Sequence, residues 1–188
     1  MAGDKRPTRR MVLRGAAGAL PAALLARRAG FAAAPASLPP LPKIAAADAT
    51  LLRPGEPGYA AADVAHNLRT RREPALRALC RTPAGVARMV EWVRENGLPF
   101  AVRCGGHSYE GFSQSSSVVI DLRPMAAASV DKAAKVLAIG AGASLGAAYQ
   151  AVAKRGLALA AGSCPTVGIS GHTLGGGYGL LARPLGLT

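Results

Sequence analysis

Aromatic side chains are scarce in this chain, at 4% of its 188 residues, so a core must be assembled from small aliphatic ones, of which there are enough: half of the residues are apolar. Histidine and cysteine number three each and are dispersed, so no metal-ligand cluster is expected. Acidic residues are few, ten against 23 Lys and Arg, and none follows Asp131. The half from Lys132 onward therefore offers no carboxylate for proton abstraction. The net charge of +13 invites a nucleic-acid partner, but its distribution argues against one. Seven of the basic residues lie within residues 1–36, opposed only by Asp4, and the other 16 are scattered among nine acids. No long apolar run is present either. The Ala/Leu-rich stretch from Gly15 to Ala26, about a dozen residues, is too short to span a bilayer, so no stable membrane anchor is expected.

The N-terminus reads as an address. Residues 8–14, Thr-Arg-Arg-Met-Val-Leu-Arg, resemble a twin-arginine export signal, with an Arg pair ahead of an apolar and then a basic residue. The stretch from Gly15 suits its apolar region, and Ala32, Ala34 and Ala36 offer a small-residue cleavage site, although Arg27 and Arg28 interrupt the approach. Residues 1–36 are thus assigned to a signal for export to the periplasm or exterior. Residues 37–60, with five prolines, read as an extended lead-in, and 61–188 as the functional domain.

Within that domain the periodicity predicts a short helix over 61–70, a strand over 75–80 and a helix opened by Thr82-Pro83 and closed at Gly97. A strand over 98–103 completes a β–α–β unit. Further strands are expected over 118–122, 135–139 and 157–160, with a helix over 144–154. The class is mixed, α/β or α+β. No internal repeat is present, and one domain is all that the length allows.

Two glycine-rich segments carry the chemistry. Arg103-Cys-Gly-Gly-His-Ser-Tyr-Glu-Gly111 begins where a strand ends. Gly105 and Gly106 permit unusual backbone angles, and successive bare amides in such a loop form a concavity for an anion such as a pyrophosphate. His107 offers a nucleophilic nitrogen there, and Arg103 and Ser108 offer donors. The second segment runs from Gly162 to Gly179 and has seven glycines in eighteen residues. So little side-chain volume makes sense if a flat ligand lies against the backbone. Cys164 and His172 are its reactive side chains. Cys80 and Cys104 read as core cysteines or as a disulfide pair, and the odd total leaves one cysteine with another role.

Both segments resemble the berberine-bridge-enzyme-like branch of the FAD-linked oxidases, which share the vanillyl-alcohol-oxidase fold. The first matches the signature R-x-G-G-H-S-Y-E-G at Arg103 to Gly111, and the second matches C-P-T-V-G-x-x-G-H-x-x-G-G-G-Y-G at Cys164 to Gly179. The likeness runs over roughly residues 50–188. It implies an α+β, PCMH-type FAD-binding domain of two α/β subdomains, the second incomplete at the C-terminus. It implies FAD attached by two bonds, from a ring nitrogen of His107 to the 8α carbon and from the sulfur of Cys164 to C6. Arg103, Gly105, Gly106, Ser108 and Tyr109 are then expected around the pyrophosphate and ribityl chain. Gly168, Gly171, Gly176, Gly177 and Gly179 let backbone approach the cofactor, and His172 stands at the N1–C2=O edge. Val167 falls at the gate to the oxygen-reactive face, which leans toward dioxygen as acceptor. The implied reaction is oxidation of an alcohol, sugar or amine centre by hydride transfer to flavin N5.

Two alternatives stay open. One is a flavin-binding module without turnover of its own, because relatives continue past the second motif into a substrate domain. The other is a nicotinamide-binding Rossmann domain. Ile139-Gly-Ala-Gly-Ala-Ser-Leu-Gly146, between a strand and a helix, nearly matches G-x-G-x-x-G. Its third glycine is one place late, and no acidic residue follows for a ribose hydroxyl. A structural turn within the second subdomain fits it better.

Overall fold

Local chemistry explains where the elements start and stop. Thr82 caps the first helix, its Oγ1 accepting from the Gly85 N–H at 3.1 Å, and Pro83 fills the position that needs no amide hydrogen bond. This helix, α1, runs Pro83–Glu95 and turns Met89, Trp92 and Val93 inward. They pack on Leu76, Ala78, Val118 and Ile120, all fully buried. Each such aliphatic side chain contributes about 1.5–3 kcal/mol by leaving water. The expected shortage of aromatics holds: Trp92 is the sole aromatic of this cluster, and its Nε1 donates to Pro40 O at 3.0 Å.

The computed structural model describes residues 37–62 and 65–188. The export signal assigned to residues 1–36 lies outside the described residues. Four strands form the first sheet: β1 (Ala49–Leu52), β2 (Leu76–Cys80), β3 (Phe100–Arg103) and β4 (Val118–Asp121), in the order β1-β2-β4-β3. β1 is antiparallel to β2, while β4 lies parallel to both β2 and β3, with Arg103 opposite Asp121. The expected β–α–β unit forms in its split version. β2 and β3 are parallel and joined by α1, but β4 is inserted between them. Val118–Asp121, buried at all four positions, suits that central place.

A second, smaller unit follows. β5 (Ala128–Asp131) and β6 (Val136–Ile139) form an antiparallel hairpin, and α2 (Leu145–Ala153) packs beside it. Ser144 caps α2 by accepting from the Ala147 N–H at 3.2 Å. Two short helices, α3 (Ile169–Leu174) and α4 (Ala182–Leu185), complete the order.

Three expectations differ from this architecture, and two elements were not expected. The lead-in at 37–60 contains β1, which joins the sheet. The helix expected over 61–70 is, among the described residues, a single 3-10 turn at Leu68–Thr70, because the Asn67 side chain takes the Arg69 amide and closes the turn locally. No strand forms over 157–160; Ala160 O accepts from Thr188 Oγ1 at 2.7 Å instead. Conversely β5 has three of its four residues exposed and no apolar alternation to betray it, and α3 is hidden within the glycine-rich segment.

Candidate functional site

The two glycine-rich loops meet backbone to backbone. A Cβ on Gly105 would lie 2.3 Å from the Gly168 nitrogen, and one on Gly168 would lie 2.3 Å from the Gly105 nitrogen. Only glycine at both positions permits this approach. Each loop is also fixed from behind. The second is stitched to the start of α2, with Ile169 N donating to Ala143 O at 2.9 Å and Leu145 N to Val167 O at 2.8 Å. The first bends at Gly106, where φ is +71°, and is clamped by the segment ahead of it. His66 N donates to Gly106 O at 3.1 Å, and Asn67 Nδ2 donates to Tyr109 O at 2.8 Å.

A cavity of about 270 Å³ opens at this junction. Cys104, Gly105 and His107 line it from the first loop, Thr166 and Gly168 from the second, Gly142–Ser144 from the β6–α2 turn, with His66 and Arg123 completing the wall. His107 Nε2 lies 2.9 Å from Thr166 Oγ1, so the two loops are joined by a side-chain hydrogen bond as well. Nδ1 has no hydrogen-bond partner among the described residues. Burial, and secondarily the neighbouring His66, holds the His107 imidazole below its ordinary value, which favours the neutral ring. Arg123 is the one permanently charged residue in the wall; its guanidinium forks onto Asp121, with 2.6 Å from Nη2 to Oδ2.

The expected site residues separate into three groups. Gly105, His107 and Gly168 line the cavity, and Gly106 shapes the bend. Cys164, Tyr109 and Gly171 are exposed at the surface nearby. Ser108 Oγ accepts from Phe112 N at 3.0 Å within its own loop, and Val167 carries the backbone link to α2.

The third group departs from expectation. Arg103 does not line the cavity: it is fully buried, with Nη2 donating to Gln114 Oε1 at 2.6 Å and Nε to Ser113 O at 3.4 Å. The arginine facing the cavity is Arg123, which its register one turn past β4 places there. Gly177 and Gly179 answer to contacts inside the loop. A Cβ on Gly177 would strike the His172 ring at 2.1 Å, and one on Gly179 would meet Ala161 O at 1.8 Å. His172 lies beneath the second loop, and its Nε2 accepts from the Gly162 N–H at 3.0 Å. That bond puts the proton of the neutral ring on Nδ1.

Sequence reasoning missed His66, Arg123 and the Gly142–Ser144 turn. The near-fingerprint Gly-Ala-Gly was a signal that could have found the turn. A Cβ on Gly142 would meet Leu122 O at 1.7 Å, so its small size seats the β4–β5 connection, and the turn then presents Ala143 and Ser144 to the cavity. His66 and Arg123 carried no sequence signal. Cys80 and Cys104, open earlier as a disulfide pair, are free and buried, and Cys164 is free and exposed. Burial, then Asp121, pushes the Cys80 thiol up to about 11.

These walls fit FAD. Bare amides and one arginine, with no carboxylate among the lining residues, suit a pyrophosphate. The volume is below the range of about 300–1,000 Å³ usual for drug-sized ligands, so the cavity seats part of a dinucleotide. Leu174, Tyr178 and Leu180 of the second segment expose apolar surface. An α+β frame whose two glycine loops close on such a cavity defines a nucleotide-cofactor-binding domain.

Comparison with known proteins makes this particular: residues 74–188 match the FAD binding domain family, and the chain belongs to it. It is 42% identical over 134 residues to an FAD-linked oxidoreductase, YgaK, of Bacillus subtilis, covering 71% of this chain and 30% of that one. Berberine-bridge-enzyme-like 1 of Physcomitrella patens superposes with a TM-score of 0.70 at 39% identity, over 76% of this chain and 32% of that one. For 6-hydroxy-D-nicotine oxidase of Arthrobacter nicotinovorans the TM-score is 0.68 at 34% identity, over 74% and 31%. The resemblance to the berberine-bridge-enzyme-like FAD-linked oxidases thus holds in sequence and fold, and the chain spans under a third of the length of these relatives.

Proposed function

We propose that this chain is the FAD-binding part of an exported flavin-dependent oxidoreductase, with the isoalloxazine tethered by His107 and Cys164. The observation that carries the reading is the junction of the two loops. The Gly105–Gly168 approach and the His107–Thr166 hydrogen bond bring one tethering loop against the other. FAD, when bound, supplies a hydride acceptor at N5 and an electron store that dioxygen empties.

His107 acts first as a nucleophile. With Nε2–H donating to Thr166 Oγ1, Nδ1 would keep its lone pair for a bond to the 8α carbon. That bond would release one proton from the carbon and one from the imidazole and would pass two electrons to dioxygen, yielding hydrogen peroxide. Cys164 bonds to C6 with the same balance, its thiol proton and the C6 hydrogen leaving. The amides of the first loop, with Arg123, hold the pyrophosphate. His172, protonated at Nδ1, donates toward the N1–C2=O edge, where charge collects on reduction. Val167 guards the face that meets dioxygen. The substrate is a small molecule oxidised at an alcohol, sugar or amine centre. Similarity to 6-hydroxy-D-nicotine oxidase supports that range. The Thr-Arg-Arg-Met-Val-Leu-Arg sequence supports export of the folded, loaded protein.

A second reading, a flavin carrier without turnover of its own, is favoured by the absence of any carboxylate among the cavity-lining residues. The test is peptide mass spectrometry of the flavin-loaded protein with His107→Ala and Cys164→Ala variants. Each variant is expected to lose one linkage, and the double variant to release its flavin on acid precipitation. Unmodified peptides at both positions in the wild type overturn the proposal. Turnover of alcohols or amines by the loaded chain decides between enzyme and carrier.

A further inference from the structure

The cavity wall holds two histidines, and the chemistry above uses one. His66 is exposed on its outer side, and its ring lies flat on that of His107, centroids 4.1 Å apart and planes 15° from parallel. It is not a side chain that drifted there. Its own N–H is bonded to Gly106 O, next to His107, and the following Asn67 is bonded to Tyr109 O, two residues beyond it. The segment thus grips the first loop on both sides of the tethering residue.

We infer that His66 is a positioning residue for covalent flavin attachment, stacked on His107 so that the imidazole keeps one plane and stays unprotonated while Thr166 holds Nε2. This rests on the reading of His107 as a tether. An imidazole turns about two side-chain bonds, and one hydrogen bond at its edge does not fix its plane; a ring laid over its face does. Attachment also needs a lone pair, which the imidazolium lacks. His66 faces His107 in the cavity and opposes a second positive charge there, whereas Arg123, also in the wall, is paired with Asp121. Cys104 faces it as a buried thiol, Thr166 does not titrate, and no carboxylate lines the wall to favour the imidazolium. Its lowered affinity for a proton, from burial first and His66 second, is consistent with this arrangement. The covalent step is the one balanced above: the N–C bond forms, two protons leave, and dioxygen takes two electrons. His66 changes its rate and pH range, not its stoichiometry.

The sign follows directly. Removing His66 lets His107 bind a proton more readily, so attachment is lost at a higher pH as the solution is acidified. Protein prepared without flavin is mixed with FAD in air from about pH 5 to pH 8, and the His107 adduct is followed by peptide mass. His66→Ala is expected to slow attachment roughly two- to tenfold, the worth of an aromatic pair, and to shift its acid limb upward. His66→Phe keeps a flat ring without the charge; it is expected to restore the rate near pH 8 but not the acid limb. An unchanged rate and profile in His66→Ala, or no recovery near pH 8 in His66→Phe, overturns the role of His66 while leaving the tether intact. Absence of the His107 adduct in the wild type overturns the tether itself, so the two failures are distinguishable.

Discussion

A single methyl group tests whether the meeting of the two loops is what makes the site. Gly168→Ala places a carbon 2.3 Å from the Gly105 nitrogen and 2.4 Å from Cys104 Sγ, where real contacts stay above 3.0 Å. The loops must part by roughly 0.7 Å at least, which is overpacking and costs about 1–3 kcal/mol. The second loop cannot retreat toward α2, because Ile169 and Val167 are bonded to Ala143 and Leu145. Separation is therefore felt across the cavity. The His107–Thr166 bond, 2.9 Å long, lengthens to about 3.6 Å and no longer qualifies as one. For a chain of this size the stability loss lowers Tm by roughly 2–12 °C in thermal unfolding followed by circular dichroism. The adduct on His107, read by peptide mass, is expected to fall far more than stability does. Gly171→Ala makes the same chemical change within α3, where a Cβ meets nothing within 4 Å. It is expected to hold or raise stability by up to about 1 kcal/mol, and, on the proposal that flavin lies against this segment, to lose flavin. A Gly168→Ala protein that tethers flavin at His107 like the wild type refutes the argument.

Other perturbations separate structural from chemical roles. Thr166→Val removes the partner of His107 Nε2 at a half-exposed site, so the fold loses under about 1 kcal/mol while attachment slows and both ring nitrogens compete for the flavin; adducts at Nδ1 alone would contradict this. Arg123→Ala leaves Asp121, fully buried, without its ion-pair partner and is expected to cost about 3 kcal/mol, visible as a large fall in Tm. A Tm within about 2 °C of wild type would show that the pair is not structural. Cys80 keeps its proton to about 11 in the fold but only to its ordinary value of 9.0 when unfolded, so stability is lost as pH rises from 9 toward 11, by about 2–3 kcal/mol. Urea titrations of wild type and Cys80→Ala at both ends of that range check it, the variant losing less. In protein prepared without flavin, iodoacetamide at pH 8 is expected to label Cys164 quickly and Cys80 and Cys104 only on unfolding, as intact mass reports.

Much of this protein is written locally. Thr82-Pro83 starts α1 and apolar spacing turns Met89, Trp92 and Val93 inward, because capping and helical periodicity depend on neighbours a few residues away. The apolar run Val118, Val119 and Ile120 announces a buried strand by composition alone. The two glycine loops were legible for the same reason: glycine in such density marks backbone that must lie close to something. What they lie close to was not. Gly105 and Gly168 are small for each other, a contact between positions that chain order leaves unrelated, and Gly177 and Gly179 are small for His172 and Ala161 within the second segment's own fold. The insertion of β4 between β2 and β3 likewise depends on sheet pairing over long separations. Arg103 and Arg123 show the limit most plainly. Arg103 ends β3 and Arg123 follows β4 by two residues, yet one turns into the interior toward Gln114 and the other, paired with Asp121, faces the cavity. His66 had no motif to mark it, and only the folded chain brings its ring onto His107. Local propensity and pattern are properties of the sequence, whereas which side chains share a cavity is decided when distant segments pack.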